Sequence, residues 1–159
     1  MPRPYRRKAR VVALQTIYSR SRFKFIEETE VLIARDIKLP KNYRLFAQEL
    51  IVKTWKNLGE IDRSIGRNLI NWKQTRLSET LSALLRIGTC ELIYFPHTDA
   101  KVVFNESIEL CKTFVGKQAT KICNGVLNAV WEELQGEAER TDSTSTERIS
   151  ERAIEIGTE

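Results

Sequence analysis

Residues 78–95, SETLSALLRIGTCELIYF, carry the repeat that decides the fold class. Their large apolar residues recur at intervals of three, four and seven, as one face of an α-helix requires. These residues are Leu81, Leu84, Leu85, Leu92 and Ile93. Ser78 can cap the start of the helix with its hydroxyl group, and Pro96 prevents its continuation beyond Phe95. The stretch therefore predicts one helix whose apolar face points into a core.

The same spacing extends in both directions along the chain. It predicts helices over residues 5–19 and 26–37, and over residues 43–69 as either one long helix or two helices broken at Gly59 or Gly66. A further helix starts at a cap formed by Thr98 or Asp99 and stops at Gly116, and the last core helix covers residues 118–136. No strand pattern of convincing length occurs. The fold class is therefore all-α, with six or seven helices and short connections.

Length and composition predict one compact unit. A chain of 159 residues that is 42% hydrophobic can enclose a core, and it has no apolar run long enough for a membrane span or a signal peptide. We therefore expect a cytoplasmic protein. Its cysteines, Cys90, Cys111 and Cys123, fit neither a disulfide framework nor a metal-binding spacing, so they are interpreted as reduced core residues. No metal or cofactor is expected.

The charge is distributed unevenly. Residues 1–24 contain eight Lys or Arg and no acid, which gives +8, whereas residues 137–159 contain seven acids and three arginines, which gives −4. A basic start of this kind indicates contact with a polyanion at one place, or else a solvated basic tail. The acidic segment is polar, so we predict a domain over residues 1–136 and a disordered tail over residues 137–159.

Four motifs carry a family resemblance. They are RRKAR-x3-LQ-x-IY from Arg6, LLRIG-x2-EL from Leu84, VFNESIELCKTF from Val103 and KICNGVLNAV from Lys121. In this order and spacing the chain resembles the transcription antitermination factor NusB family. The resemblance implies a fold of two packed three-helix bundles. It also implies an RNA-binding antitermination factor that acts with the small-subunit ribosomal protein NusE on boxA RNA of ribosomal RNA transcripts, in a complex with RNA polymerase.

The resemblance assigns residues to two surfaces. The RNA-binding residues would be Arg6, Arg7, Lys8, Arg10, Thr120, Lys121 and Ile122. The surface that meets NusE would contain Tyr18, Leu81 and Leu85. Two positions depart from the family: Ile122 stands where many relatives have Phe, and Leu81 stands where relatives often have an acid. A single-stranded RNA needs faces on which its bases can stack. The aliphatic Ile122 can contact a base but has no aromatic ring on which a base could stack.

Alternatives come from two other classes of protein. A protein-binding adaptor of the same fold would not bind RNA. A NusB-like domain also occurs in ribosomal RNA cytosine methyltransferases, but such an enzyme would need a methyl-donor domain and a catalytic cysteine after residue 159, so we expect no enzyme. Glu106 and Glu109 share one helix face without a nucleophile nearby, and are interpreted as ion-pairing residues. A homodimer, which some relatives form, remains open.

Overall fold

The computed structural model describes residues 3–22, 38–69 and 76–156. Within these ranges all regular structure is helical, which confirms the all-α prediction. We number the helices α1 (Arg3–Arg22), α2 (Lys41–Lys56), α3 (Leu58–Arg67), α4 (Glu79–Tyr94), α5 (Ala100–Phe114) and α6 (Thr120–Ile156), with a short 3₁₀ turn at Lys117–Ala119 before α6. The helix predicted over residues 26–37 lies outside the described residues. Across the described ranges, no helix is both long enough and apolar enough to cross a membrane.

Helix α4 is the centre of the fold. The Ser78 hydroxyl accepts a hydrogen bond from the backbone N–H of Leu81 at 3.2 Å, which confirms the predicted cap. Ten of its sixteen residues are buried, so α4 is covered on nearly all sides rather than on one face. It packs against α1, α2 and α3, and also against α5 and α6. The N-terminal helices α1–α3 and the C-terminal helices α5 and α6 therefore all pack on α4.

Close packing between α4 and its neighbours depends on Gly88. A Cβ atom built there would lie 3.1 Å from Leu127 Cδ2 and 3.2 Å from Ser107 Oγ, closer than ordinary contacts. The missing side chain lets α5 and α6 approach α4. Helix α5 is capped by Asp99, whose carboxylate accepts from the N–H of Lys101 at 2.9 Å, and it ends before Gly116, which has a φ of 144°.

The break in the region 43–69 is at Asn57, so the prediction of one at Gly59 or Gly66 was wrong. The Asn57 side chain donates to the carbonyl oxygen of Lys53 at 2.8 Å, and its own carbonyl accepts from the N–H of Ile61 at 2.9 Å. One residue thus closes α2 and opens α3. An asparagine side chain can compete with the backbone for hydrogen bonds, a capacity that glycine lacks.

Helix α6 does not end at Gly136, where the sequence predicted its end, but continues to Ile156. Three hydroxyl groups beyond Gly136 donate to the carbonyl four residues earlier: Thr141 to Glu137, Ser143 to Glu139 and Thr144 to Arg140, at 2.9–3.0 Å. The polar segment therefore satisfies its own hydrogen bonds as a helix. The side chains of residues 137–144 are exposed. The boundary of the core domain at residue 136 stays a prediction.

Candidate nucleic-acid interface

The first turns of α1 present three exposed basic side chains, Arg6, Arg7 and Lys8. Proline is favoured in the first turn of a helix, where Pro4 lies, because its missing N–H would have no partner there. The Arg6 guanidinium lies over the ring of Phe46, 4.3 Å from its centroid, and the Lys8 ammonium lies 5.5 Å from the centroid of Tyr5. An aromatic face attracts a cation without neutralising it. Arg6 and Lys8 are thus held in place with their charges intact.

Arg7 has a different partner. Its Nε donates to Glu106 Oε2 at 2.8 Å and its Nη2 donates to Glu106 Oε1 at 3.0 Å, which joins α1 to α5. The Arg7 side chain is 47% exposed, whereas that of Glu106 is only 13% exposed. These hydrogen bonds raise the pKa of Arg7, so the residue stays charged. The ion-pairing interpretation of Glu106 is therefore confirmed, with a partner on another helix.

Arg10 is not on this surface. Its side chain is 4% exposed and pairs with Glu91 of α4, which is 2% exposed. Arg10 Nε donates to Glu91 Oε2 at 2.9 Å, and Nη2 donates to Oε1. A guanidinium that is buried and already bound by two oxygens cannot reach an RNA phosphate. The structure therefore contradicts the prediction that Arg10 belongs to the RNA-binding residues, and assigns it to the core.

The start of α6 forms a second candidate site. Thr120 donates from its hydroxyl to the carbonyl of Lys117 at 2.7 Å, Lys121 is exposed, and Ile122 is half-buried against the core. Lys121 and Ile122 also line a groove of about 660 Å³ between α3, α4 and α6. Its lining is mostly apolar, with Leu77, Leu81, Val115 and Val126, and it also includes the cationic Arg76. Ile122 thus faces the groove and the core together.

A sequence model of the NusB family matches residues 7–132, which is most of the chain and includes Arg7, Lys8 and the start of α6. The chain belongs to the NusB family. The transcription antitermination protein NusB of Lysinibacillus sphaericus (strain C3-41) is 32% identical over 130 residues, which cover 80% of this chain and 98% of that protein.

Solved NusB structures share the fold. A chain in the crystal structure of antitermination factors NusB and NusE in complex with dsRNA aligns with a TM-score of 0.75 and 25% identity, covering 83% of this chain and 99% of its own length. The solution structure of NusB from Aquifex aeolicus aligns with a TM-score of 0.68 and 29% identity, covering 80% of this chain and 88% of its own length. The arrangement of helices in two packed sets is therefore that of NusB.

The residues assigned to a partner surface by the NusB resemblance do not share one environment. Tyr18 is half-buried at the edge of the core. Leu81 is buried but lines the groove, and Leu85 is completely buried. The structure thus contradicts the assignment of Leu85 to an exposed interface. Leu85 sits on the inner face of α4, where the helical period of this NusB-family sequence also places it.

The sequence analysis did not predict the roles of Phe46 and Glu91, nor that the ion-pair partner of Glu106 is Arg7. Each lies on a different helix from its arginine, and the two carboxylates are 81 and 99 residues away from Arg10 and Arg7. Spacing within one helix cannot detect such pairs. For Glu91 the local signal was an acidic side chain between the apolar residues Cys90 and Leu92 of α4, because a buried carboxylate needs a buried cation.

The cysteines of this NusB-family chain are core residues, as predicted. All three are free and buried. Burial raises the pKa of Cys90 to about 11 and that of Cys123 to about 12, so both thiols stay protonated at neutral pH. A protonated, inaccessible thiol is a poor nucleophile.

Proposed function

We propose that this NusB-family chain is a non-catalytic transcription antitermination factor that binds RNA and acts with NusE. Family membership supports the antitermination role, and the likeness to a NusB chain solved with NusE and dsRNA supports both partners. The proposed RNA is the boxA element of ribosomal RNA transcripts, as the family resemblance implies. A partner of transcribing RNA polymerase would act in the bacterial cytoplasm.

The observation that carries the RNA-binding proposal is the pair of uncompensated cations at the start of α1. Among the described residues, no acid forms an ion pair with Arg6 or Lys8, although Arg7 and Arg10 beside them are both paired. Both cations contact an aromatic ring and are exposed at the surface. Fixed cations suit a phosphate backbone, because less side-chain freedom is lost on binding.

Removing both cations should reduce the salt dependence of RNA binding. In the variant with Arg6→Ala and Lys8→Ala, the slope of log affinity against log salt should flatten by roughly 1.4 units, since each phosphate contact with single-stranded RNA contributes about 0.7. The measurement is fluorescence anisotropy of a boxA-like strand at several salt concentrations, with and without NusE. The matched control is Lys56→Ala with Arg63→Ala, two exposed cations on α2 and α3. Equal slopes for the two variants would contradict the proposal.

Ile122→Phe tests the second site. A ring at the groove edge would supply a stacking face, so RNA binding should tighten by roughly 1 kcal/mol, the low end for one stacked base. The groove beside Ile122 has room for the larger side chain, so the melting temperature should change little. Unchanged RNA affinity together with a lowered melting temperature would show that Ile122 is a core residue and not an RNA contact, because overpacking a core costs about 1–3 kcal/mol of stability.

The second candidate function is a protein-binding adaptor of the NusB fold without RNA binding. The neutralisation of Arg7 and the burial of Arg10 favour it, because they leave fewer free cations than the eight in residues 1–24 suggest. The same titration separates the two: an adaptor would bind NusE but show no salt-dependent RNA affinity.

A further inference from the structure

Of the three exposed cations described at the start of α1, Arg6, Arg7 and Lys8, Arg7 is the one whose charge is cancelled by a carboxylate. Arg6 and Lys8 rest on aromatic rings and keep their full positive charge. Arg7 is bound by both oxygens of Glu106, and the nearby Glu109 also acts on it electrostatically. Glu109 is in turn bound by Lys112 at 3.2 Å, so Glu106 is the main partner of Arg7.

The geometry of this pair leaves part of the guanidinium available. A guanidinium has five N–H donors in one plane, and Glu106 takes one on Nε and one on Nη2. The remaining three, two on Nη1 and one on Nη2, have no hydrogen-bond acceptor among the described residues, and the Arg7 side chain as a whole is 47% exposed. Glu106 is mostly covered, so it holds the guanidinium plane in a fixed direction relative to α5.

Such a pair affects specific and non-specific binding differently. Non-specific binding to RNA depends on net positive charge, because each neutralised phosphate releases condensed counterions. A neutral pair adds almost nothing to this term. A specific RNA whose phosphate or base edge meets the three remaining donors still gains directional hydrogen bonds.

We infer that Glu106 is a selectivity residue for RNA binding, which positions Arg7 and removes its contribution to the binding of arbitrary polyanions. The inference rests on the proposed function and deepens it. Glu106 does not touch RNA itself. It acts through Arg7. The remaining N–H donors of Arg7 can bind an RNA group of the right geometry, whereas its neutralised charge adds little to the binding of other RNAs.

The test compares Glu106→Gln with two controls. Glu109→Gln removes the same charge from the same helix but spares the Arg7 pair, and Glu106→Asp keeps the charge. Affinities for poly(A) and for a boxA-like strand are measured at about 50 and about 200 mM salt. On poly(A), Glu106→Gln should steepen the salt slope by about 0.7 and so lose roughly 2.6-fold more affinity than the parent protein between the two concentrations. Glu106→Asp should match the parent, and Glu109→Gln should change less than Glu106→Gln.

A second variant keeps the test valid if Glu106→Gln folds poorly. The double variant Arg7→Gln with Glu106→Gln leaves the net charge unchanged, so its slope on poly(A) should equal that of the parent while its affinity for the boxA-like strand falls several-fold. A poly(A) slope that Glu106→Gln does not change, or that Glu109→Gln changes equally, would overturn the inference. Failure of the proposed function looks different: the parent protein would then bind the boxA-like strand no more tightly than poly(A).

Discussion

Arg10→Ala should lower the free energy of unfolding by about 3–5 kcal/mol, the usual cost of removing one partner of a buried ion pair. The reason is the carboxylate that remains: Glu91 is 2% exposed on α4, and without Arg10 it would be a buried charge with no cation beside it. The loss should appear as a lower urea midpoint in equilibrium unfolding followed by circular dichroism.

Arg6→Ala is the matched control, because Arg6 is also an arginine on α1 above the Phe46 ring but lies on the surface. It should cost about 0.5–1 kcal/mol, the value of an exposed cation–π contact. Replacing both buried partners, with Arg10→Met and Glu91→Leu, should recover most of the lost stability, since apolar residues of similar volume substitute well for a buried pair. Equal losses for Arg10→Ala and Arg6→Ala would show that Arg10 is not the core residue described above.

Leu127→Ala should be the second large loss, about 2–5 kcal/mol of unfolding free energy. Leu127 is completely buried on α6, and its methyl groups fill the space that Gly88 leaves on α4. Shortening it opens a cavity where the two helices meet, which the rigid helices can only partly close. Leu134→Ala, on the same helix but half-buried, should cost clearly less. The comparison is made by urea unfolding of both variants.

Gly88→Ala tests whether the loss comes from that contact. In the parent protein the new methyl group would meet Leu127 at 3.1 Å, whereas in the Leu127→Ala background it would enter the cavity. Gly88→Ala should therefore be better tolerated in the Leu127→Ala background by about 1 kcal/mol or more, within the range for residues in contact. Strict additivity of the two substitutions would show that Gly88 and Leu127 do not share the space.

The helices of this protein follow from local rules, with instructive exceptions. The period of apolar residues predicted α4, and the Ser78 hydroxyl and Pro96 predicted its ends, because capping and the missing proline N–H act within a few residues. The break at Asn57 and the continuation of α6 beyond Gly136 were missed. Asn57 and Thr141 both have side chains that donate to a carbonyl four residues earlier, and residue type alone does not decide whether such a bond interrupts a helix or is accommodated within it.

The candidate RNA-binding surface was predictable in position but not in composition. The sequence by itself determined that α1 begins with a dense run of cations and that α6 begins beside Lys121, since both follow from residue order and helix spacing. Only the tertiary structure decided which cations remain free. The acids that bind Arg7 and Arg10 lie 99 and 81 residues further along the chain and meet them only after α4 has packed against α1 and α5 has packed against α4. Coulombic attraction acts between side chains that are close in space, and closeness in space is set by packing rather than by sequence distance.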